Sequence, residues 1–116
     1  MKIFIIVVLS LVGIHSFAQS STIKGQLNDS DNNAVIYANI VLHNAADSTI
    51  AKVETTDVNG LFLFSGISSG TYFINASYIG NDDLLINDIS VTDKNDIDLG
   101  LLRMENSSVK LETAIV

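Results

Sequence analysis

The fold is decided by the stretch Asp57-Val58-Asn59-Gly60-Leu61-Phe62-Leu63-Phe64 and, after five further residues, by Gly70-Thr71-Tyr72-Phe73-Ile74. A polar turn that ends in glycine precedes an alternating strand, and a second glycine precedes the next strand. This pattern is typical of a hairpin in a β-sandwich. Because the hairpin carries no catalytic nucleophile, metal-ligand cluster or phosphate-binding loop, it favours a module that positions or connects other parts.

Short apolar stretches separated by polar turns recur on both sides of this hairpin. Five further strands bring the predicted total to seven: Ile23 to Leu27, Val35 to Leu42, Thr49 to Thr55, Leu84 to Val91 and Ile97 to Arg103. Between Thr49 and Thr55, the alternation predicts that Ala51 and Val53 point inward. No window has helical spacing with capping residues. We therefore predict an all-β, seven-stranded Greek-key β-sandwich.

Residues 1–18 are predicted to be a signal peptide. Lys2 supplies a positive start, an apolar run follows, and Ser16 and Ala18 are small residues at the positions that signal peptidase recognises. An uncleaved membrane anchor is the alternative, but spanning a bilayer takes about 20 apolar residues. We expect cleavage after Ala18, so that the mature, exported protein begins at Gln19.

Composition excludes several classes of function. The formal net charge of the chain is −7 at pH 7, and the loss of Lys2 with the signal peptide makes it −8. Such a chain repels phosphate backbones, which argues against nucleic-acid binding. The sequence contains no cysteine, so neither disulfides nor a lipid-modified cysteine is available. The stability of the exported domain must therefore come from a packed core.

Two polar turns contain clustered oxygen ligands. Residues 29–33, Asp-Ser-Asp-Asn-Asn, begin like a calcium-binding loop. However, Ala34 stands where that loop needs glycine, and Ile40 stands where it needs the closing glutamate. The oxygens of residues 57–60 are better explained by a hairpin turn. The sequence therefore predicts neither a metal site nor a cofactor.

Side chains suited to catalysis are few. His43 is the only histidine left after processing, and we expect it in an exposed loop at the end of a strand, without a partner for acid–base chemistry. The neighbouring carboxylates Asp82 and Asp83 are predicted to lie in a solvated turn. The protein is therefore not expected to be an enzyme. A carbohydrate-binding platform remains open only through the aromatic residues Tyr37 and Phe73.

Four pieces of the chain together resemble the carboxypeptidase regulatory-like domain: Ile23-Lys24-Gly25-Gln26-Leu27, Tyr37-Ala38-Asn39-Ile40-Val41-Leu42, Thr56-Asp57-Val58-Asn59-Gly60-Leu61-Phe62, and Gly70-Thr71-Tyr72 followed by Tyr78-Ile79-Gly80. The similarity covers about residues 21 to 104. It implies a transthyretin-like (prealbumin-like) sandwich of the kind found at the N-terminus of TonB-dependent outer-membrane receptors of Bacteroidetes-type bacteria. The chain departs from the family pattern at Ala34-Val35-Ile36, which often includes proline, and at Asn81, which is often aromatic.

The sandwich is predicted to span residues 19–104, and residues 105–116 form a linker and an extended segment. Glu105 to Lys110 is a polar connector, and Leu111-Glu112-Thr113-Ala114-Ile115-Val116 follows it. The resemblance implies that this segment leads toward a plug and barrel and contacts a TonB-type energy-transducing protein. The physical basis would be strand addition, in which an extended peptide pairs with a sheet edge of the partner.

The resemblance implies a non-catalytic domain at the periplasmic face of the outer membrane, with a structural or regulatory role in nutrient uptake or signalling. Its partners would be an outer-membrane barrel in the same longer chain and a TonB-type protein. The alternative is a free-standing secreted or cell-surface binding module, of adhesin or carbohydrate-binding type. A reading frame that continues past Val116 into a plug and amphipathic strands would support the first hypothesis, and a stop codon would support the second.

Overall fold

The computed structural model describes residues 20–107, which form strands and connecting turns without a helix. The seven strands are β1 (Ser21–Asn28), β2 (Asn39–Asn44), β3 (Ile50–Thr55), β4 (Leu61–Ile67), β5 (Gly70–Ser77), β6 (Leu84–Val91) and β7 (Asp96–Arg103). Within the described range, therefore, no helix could span a membrane. The predicted signal peptide and the segment Leu111–Val116 lie outside these residues.

The strands form two sheets, one of three strands in the order β4-β1-β7 and one of four in the order β3-β2-β5-β6. Neighbouring strands are antiparallel, except that β1 and β7 run parallel. The predicted all-β, seven-stranded sandwich is confirmed. The core lies between the sheets, and its largest fully buried side chains are apolar: Phe64, Ile23, Leu27, Ile40, Leu42, Ile74 and Met104.

Gly25 in β1 allows a large aromatic side chain to lie across the central strand. It pairs directly with Phe62 of β4. A Cβ atom at position 25 would lie 2.7 Å from Cζ of the Phe62 ring. The ring therefore occupies the space that a glycine leaves empty, a known way of compensating for glycine in a sheet.

Strand β3 does not bury the residues that the alternation predicted. Every β3 residue is exposed, so the prediction that Ala51 and Val53 point inward is wrong. The register places Val53 beside Val41, on the outer face of the sheet. Lys52, not an apolar residue, pairs with the buried Leu42. The register also shifts at the start of β3, where Ala51 is an extra, unpaired residue.

Strand β2 is shorter than predicted, because it begins at Asn39 and not at Val35. Tyr37 interrupts the extended backbone with a φ angle of +61°, a left-handed conformation that cannot continue a strand. Val35 is nevertheless buried, and its N–H group donates to the carbonyl of Leu27 at 2.9 Å. The preceding loop is thus tied to β1.

The parallel pairing of β1 and β7 gives the sandwich two distinct ends. Thr22 pairs with Asp96 at one end, and Asn28 pairs with Arg103 at the other. We call these the N-terminal end and the C-terminal end. The N-terminal end carries the connections 45–49, 68–69 and 92–95. The C-terminal end carries the connections 29–38, 56–60 and 78–83, together with residues 104–107.

Candidate functional site

The Asp29 turn uses its carboxylate to hold its own backbone. Asp29 Oδ1 accepts hydrogen bonds from the N–H groups of Asp31 at 2.9 Å and Asn33 at 3.0 Å. Asn32 adopts a left-handed φ of +68°, which asparagine tolerates in such turns. The carboxylate thus has a structural role, because it caps its own turn.

The Asp57 turn has the same construction. Asp57 Oδ1 accepts from the N–H groups of Asn59 at 2.8 Å and Leu61 at 2.9 Å. Gly60 takes the left-handed position with a φ of +76°. Within residues 20–107, no group of three histidine, cysteine, aspartate or glutamate side chains is placed to hold a metal ion.

His43 lies within β2 and not in a loop, so that part of the sequence prediction is wrong. Its ring stacks on Phe73 of β5, with the ring centroids 4.6 Å apart and the planes 8° from parallel. Its Nδ1 atom is 3.1 Å from the carbonyl oxygen of Ser48. The ring is engaged in packing and in a backbone contact, which gives it a structural role. Asp82 and Asp83 are exposed, as predicted for a solvated turn.

The two candidate sugar-binding aromatics do not share a surface. Tyr37 is 67% exposed and precedes β2 at the C-terminal end. Phe73 is half-buried beneath His43, near the other end of that strand. Tyr37 lies before β2, and the strand from Asn39 to His43 alone spans about 14 Å. The structure therefore does not assemble the carbohydrate platform.

A shallow groove of about 650 Å³ crosses the outer face of the three-stranded sheet. Exposed leucines and charged side chains of both signs are among the residues that line it: Lys24, Glu54, Asp57, Leu61, Leu63, Asp98 and Leu101. Lys24 and Asp98 are paired neighbours on β1 and β7. The groove is open, and its charges lie beside each other instead of converging on one point.

The C-terminal end carries a group of exposed apolar side chains that the sequence analysis did not identify. We call it the C-terminal apolar surface, and its members are Ile36, Tyr37, Val58, Tyr78 and Ile79. The connections at the N-terminal end contain no large apolar residue. Knowledge of the topology is needed to see this surface, because three separate loops contribute to it.

These loops are joined through their backbones. The N–H group of Tyr37 donates to the carbonyl of Thr56 at 3.1 Å, which links the first two loops. Asn39 pairs with Ser77 at the end of β5, which brings Tyr78 beside them. The left-handed backbone of Tyr37 is unusual for a bulky aromatic residue, and such strained positions concentrate at functional sites.

The backbone after β7 stays attached to this end of the sandwich. Met104 is fully buried, and its N–H group donates to the backbone carbonyl of Asn28 at 2.8 Å. Further on, the N–H group of Ser107 donates to the carbonyl of Gly80 at 3.0 Å. The first residues of the predicted connector are therefore hydrogen-bonded to the turn between β5 and β6.

Comparison with protein families gave a match to the model described as "Carboxypeptidase regulatory-like domain", over residues 22–102. A search of curated proteins gave no significant match. Solved structures with a similar fold include the Bacillus anthracis TIE protein, with a TM-score of 0.62 and 13% identity over 75% of this chain and 17% of that one.

Two other similar structures have comparable scores. BcpA, the major pilin subunit of Bacillus cereus, has a TM-score of 0.58 and 19% identity over 77% of this chain and 31% of that one. A type II cohesin–X-dockerin complex from Acetivibrio cellulolyticus has a TM-score of 0.54 and 22% identity over 72% of this chain and 56% of that one. At these identities the likeness concerns the fold. The present chain corresponds to one part of each of these longer chains.

Proposed function

The chain belongs to the carboxypeptidase regulatory-like domain family, and from that premise we propose that it is the periplasmic N-terminal domain of a TonB-dependent outer-membrane receptor or related β-barrel protein. The domain is a non-enzymatic β-sandwich with a structural or regulatory role in nutrient uptake or signalling. It holds the segment Leu111–Val116 at a defined place, where that segment contacts a TonB-type partner.

The observation that carries this proposal is the parallel pairing of β1 and β7. Because these strands run in the same direction, the chain enters the sandwich at one end and leaves it at the other. Eight residues of extended strand span about 26 Å. The domain therefore acts as a spacer of fixed length.

The place at which the chain leaves the sandwich supports the same role. Met104 is anchored in the core, and Ser107 is hydrogen-bonded to Gly80. Leu111 follows only four residues later. The described chain thus ends at a fixed position on the domain, shortly before the partner-contact segment.

The first test is whether the coding sequence continues past Val116, because the proposal requires a plug and amphipathic strands after this residue. The second test uses that full-length protein with Ile115→Pro, which removes a backbone donor needed for strand addition. We expect in vivo crosslinking to the TonB-type partner and substrate uptake to fall, while the sandwich stays folded. Ser108→Pro in the polar connector is the control and should retain both. Normal crosslinking by the Ile115→Pro variant would contradict the role of the segment.

The similarity to a pilin subunit and to a cohesin–dockerin complex favours a second candidate, a free-standing secreted or cell-surface module. Both hypotheses require export. They differ in where the mature protein is found, since a receptor domain fractionates with the outer membrane. A stop codon directly after Val116, with the protein in the culture medium or on the cell surface, would establish this second candidate.

A further inference from the structure

The C-terminal apolar surface has no cover among residues 20–107. Ile79 is 89% exposed, and Tyr37 has a strained, left-handed backbone. Contiguous exposed apolar patches are uncommon on soluble monomers and usually mark a binding surface. We propose that residues 108–116 of the same chain bind to this surface and pack their apolar side chains onto it. We call the surface in this role the seat of the segment.

The position at which the described chain ends supports this occupant. Ser107 is hydrogen-bonded to Gly80, the residue that follows Ile79. Residues 108–116 therefore begin beside the surface. Five of these nine residues are apolar: Val109, Leu111, Ala114, Ile115 and Val116.

The length of the segment is also sufficient. Nine extended residues reach about 30 Å. The surface extends from Ile79, after β5, past Tyr37, before β2, to Val58, after β3. Since β5, β2 and β3 are consecutive strands of one sheet, this width is about two strand spacings, or about 10 Å. The segment can cross the whole surface.

The surroundings of the surface are acidic. Arg103 ends β7 at this end of the sandwich. The connections there, with residues 104–107, carry no cationic side chain and six carboxylates: Asp29, Asp31, Asp57, Asp82, Asp83 and Glu105. Lys110 is the first cationic residue after Arg103. Glu112 lies two residues further on, so the segment carries no net side-chain charge, and its packing on the surface rests on its apolar residues.

An unpartnered amide at the same place supports the proposal independently. Asn81 Nδ2 is shielded from solvent, yet it has no acceptor among the described residues. Asn81 forms an isolated bridge with Asn106, immediately before the segment begins. Buried donors are rarely left without a partner. A backbone carbonyl of the seated segment would supply the missing acceptor.

The consequence of this seat is regulatory. If Leu111–Val116 contacts a partner, as the proposed function holds, the seat and the partner compete for the same side chains. The seat itself does not rest on that function. It can be tested on the purified mature chain, in which no barrel or TonB-type protein is present.

The first test compares the mature chain with a variant that ends at Ser107. Tyrosine ring signals in the NMR spectrum report on the surface, because Tyr37 and Tyr78 belong to it whereas Tyr72 is buried in the core. Truncation should shift the Tyr37 and Tyr78 signals and leave the Tyr72 signal unchanged. Ile79→Ser in the mature chain should reproduce part of the shift at Tyr78. Unchanged signals for both surface tyrosines would overturn the proposal.

The second test uses disulfide formation, for which the cysteine-free sequence provides a clean background. Leu111→Cys is combined with Ile79→Cys on the surface or with Asp83→Cys, a control in the same turn that lies outside the surface. Seating raises the effective concentration at the surface, so the first pair should close about tenfold faster. Equal rates would overturn the seat. Crosslinking that depends on protein concentration would show that a second copy covers the surface, and the assignment to the same chain would then be wrong.

Discussion

Strands β3 and β4 occupy comparable positions but differ in the burial of their side chains. Each lies at an outer position of its sheet, and Lys52 of β3 donates a hydrogen bond to the carbonyl of Ser65 in β4. In β4, buried and exposed side chains alternate as predicted, since Phe62 is 4% exposed and the adjacent Leu61 is 46% exposed. In β3 every residue is exposed, including Val53 at 55%.

The difference arises from what each strand covers. Phe62 and Phe64 project into the core, where their rings meet edge to face at a centroid distance of 6.0 Å. In β3, the inner positions are taken by Lys52 and Glu54, which pair with the buried residues of β2. Alternation therefore predicts which residues share a face, but it does not tell whether either face is covered.

The largest expected effect is that of Phe62→Ala. Removal of a buried phenylalanine leaves a cavity and costs about 3–5 kcal/mol, a large part of the 5–15 kcal/mol typical of a domain. Leu61→Ala on the outer face and Val53→Ala in β3 should each change stability by about 0.5 kcal/mol or less. Urea unfolding of the three variants measures these differences. A cost for Val53→Ala that approached that of Phe62→Ala would show that β3 covers part of the core.

Gly60 in the turn that precedes β4 gives the next effect. Its φ is +76°, and a Cβ atom would lie 2.5 Å from the carbonyl oxygen of Leu27. Gly60→Ala should therefore cost about 2–3 kcal/mol, through backbone strain combined with a clash against main chain. Gly80→Ala is the matched control, because its φ is +86° but no atom lies within 4 Å of the added Cβ. It should cost about 1 kcal/mol, from strain alone. Equal unfolding midpoints for the two variants would exclude the clash.

Much of the fold follows from local patterns, and the exceptions have identifiable causes. The turn at Asp57–Gly60 and the alternation after it determine how β4 packs. By contrast, the left-handed backbone of Tyr37 cannot be inferred from its residue type, so the start of β2 was placed too early. His43 precedes a loop-like run, yet β2 continues through Asn44. These errors arise where tertiary contacts override local preference.

The candidate surface was less predictable than the fold for a topological reason. Ile36, Val58 and Ile79 are far apart in sequence, and each alone is an ordinary exposed apolar residue. They come together because β2, β3 and β5 all have their neighbouring loops at the C-terminal end. The predicted partner-contact segment Leu111–Val116 was identified from resemblance, and the structure adds the anchored position of Ser107 before it.

Gly25 further distinguishes β4 from β3, because it couples β1 to the buried face of β4. Gly25→Ala places a Cβ atom 2.7 Å from the Phe62 ring, and the forced shift should cost about 1–3 kcal/mol. In the Phe62→Ala background the ring is absent, so the same substitution should become nearly neutral. A double-mutant cycle measures this coupling. Strictly additive costs would mean that the ring does not need the space above Gly25.

The smallest expected effect concerns Asp47, in the turn that precedes β3. The hydroxyl of Thr49 donates to Asp47 Oδ1 at 2.7 Å, and the N–H group of Thr49 donates at 3.1 Å. These two hydrogen bonds, the hydroxyl first, hold the pKa of Asp47 below its usual value of 3.8. A lowered pKa means that the ionised carboxylate favours the folded turn. The stabilisation is therefore present above pH 3.8 and is lost as the pH falls through the lowered pKa.

Thr49→Val removes the hydroxyl while it preserves the shape of the side chain. In an NMR titration of the Asp47 carboxyl, this variant should raise the pKa toward its usual value of 3.8. Thr55→Val, at the end of β3 away from this turn, should leave the titration unchanged. Because Asp47 is exposed and β3 covers no core, the pH at which the whole domain unfolds should stay the same in both variants. A shift of that unfolding pH by Thr49→Val alone would show that the β3 turn contributes to the cooperative fold, as the turn before β4 does.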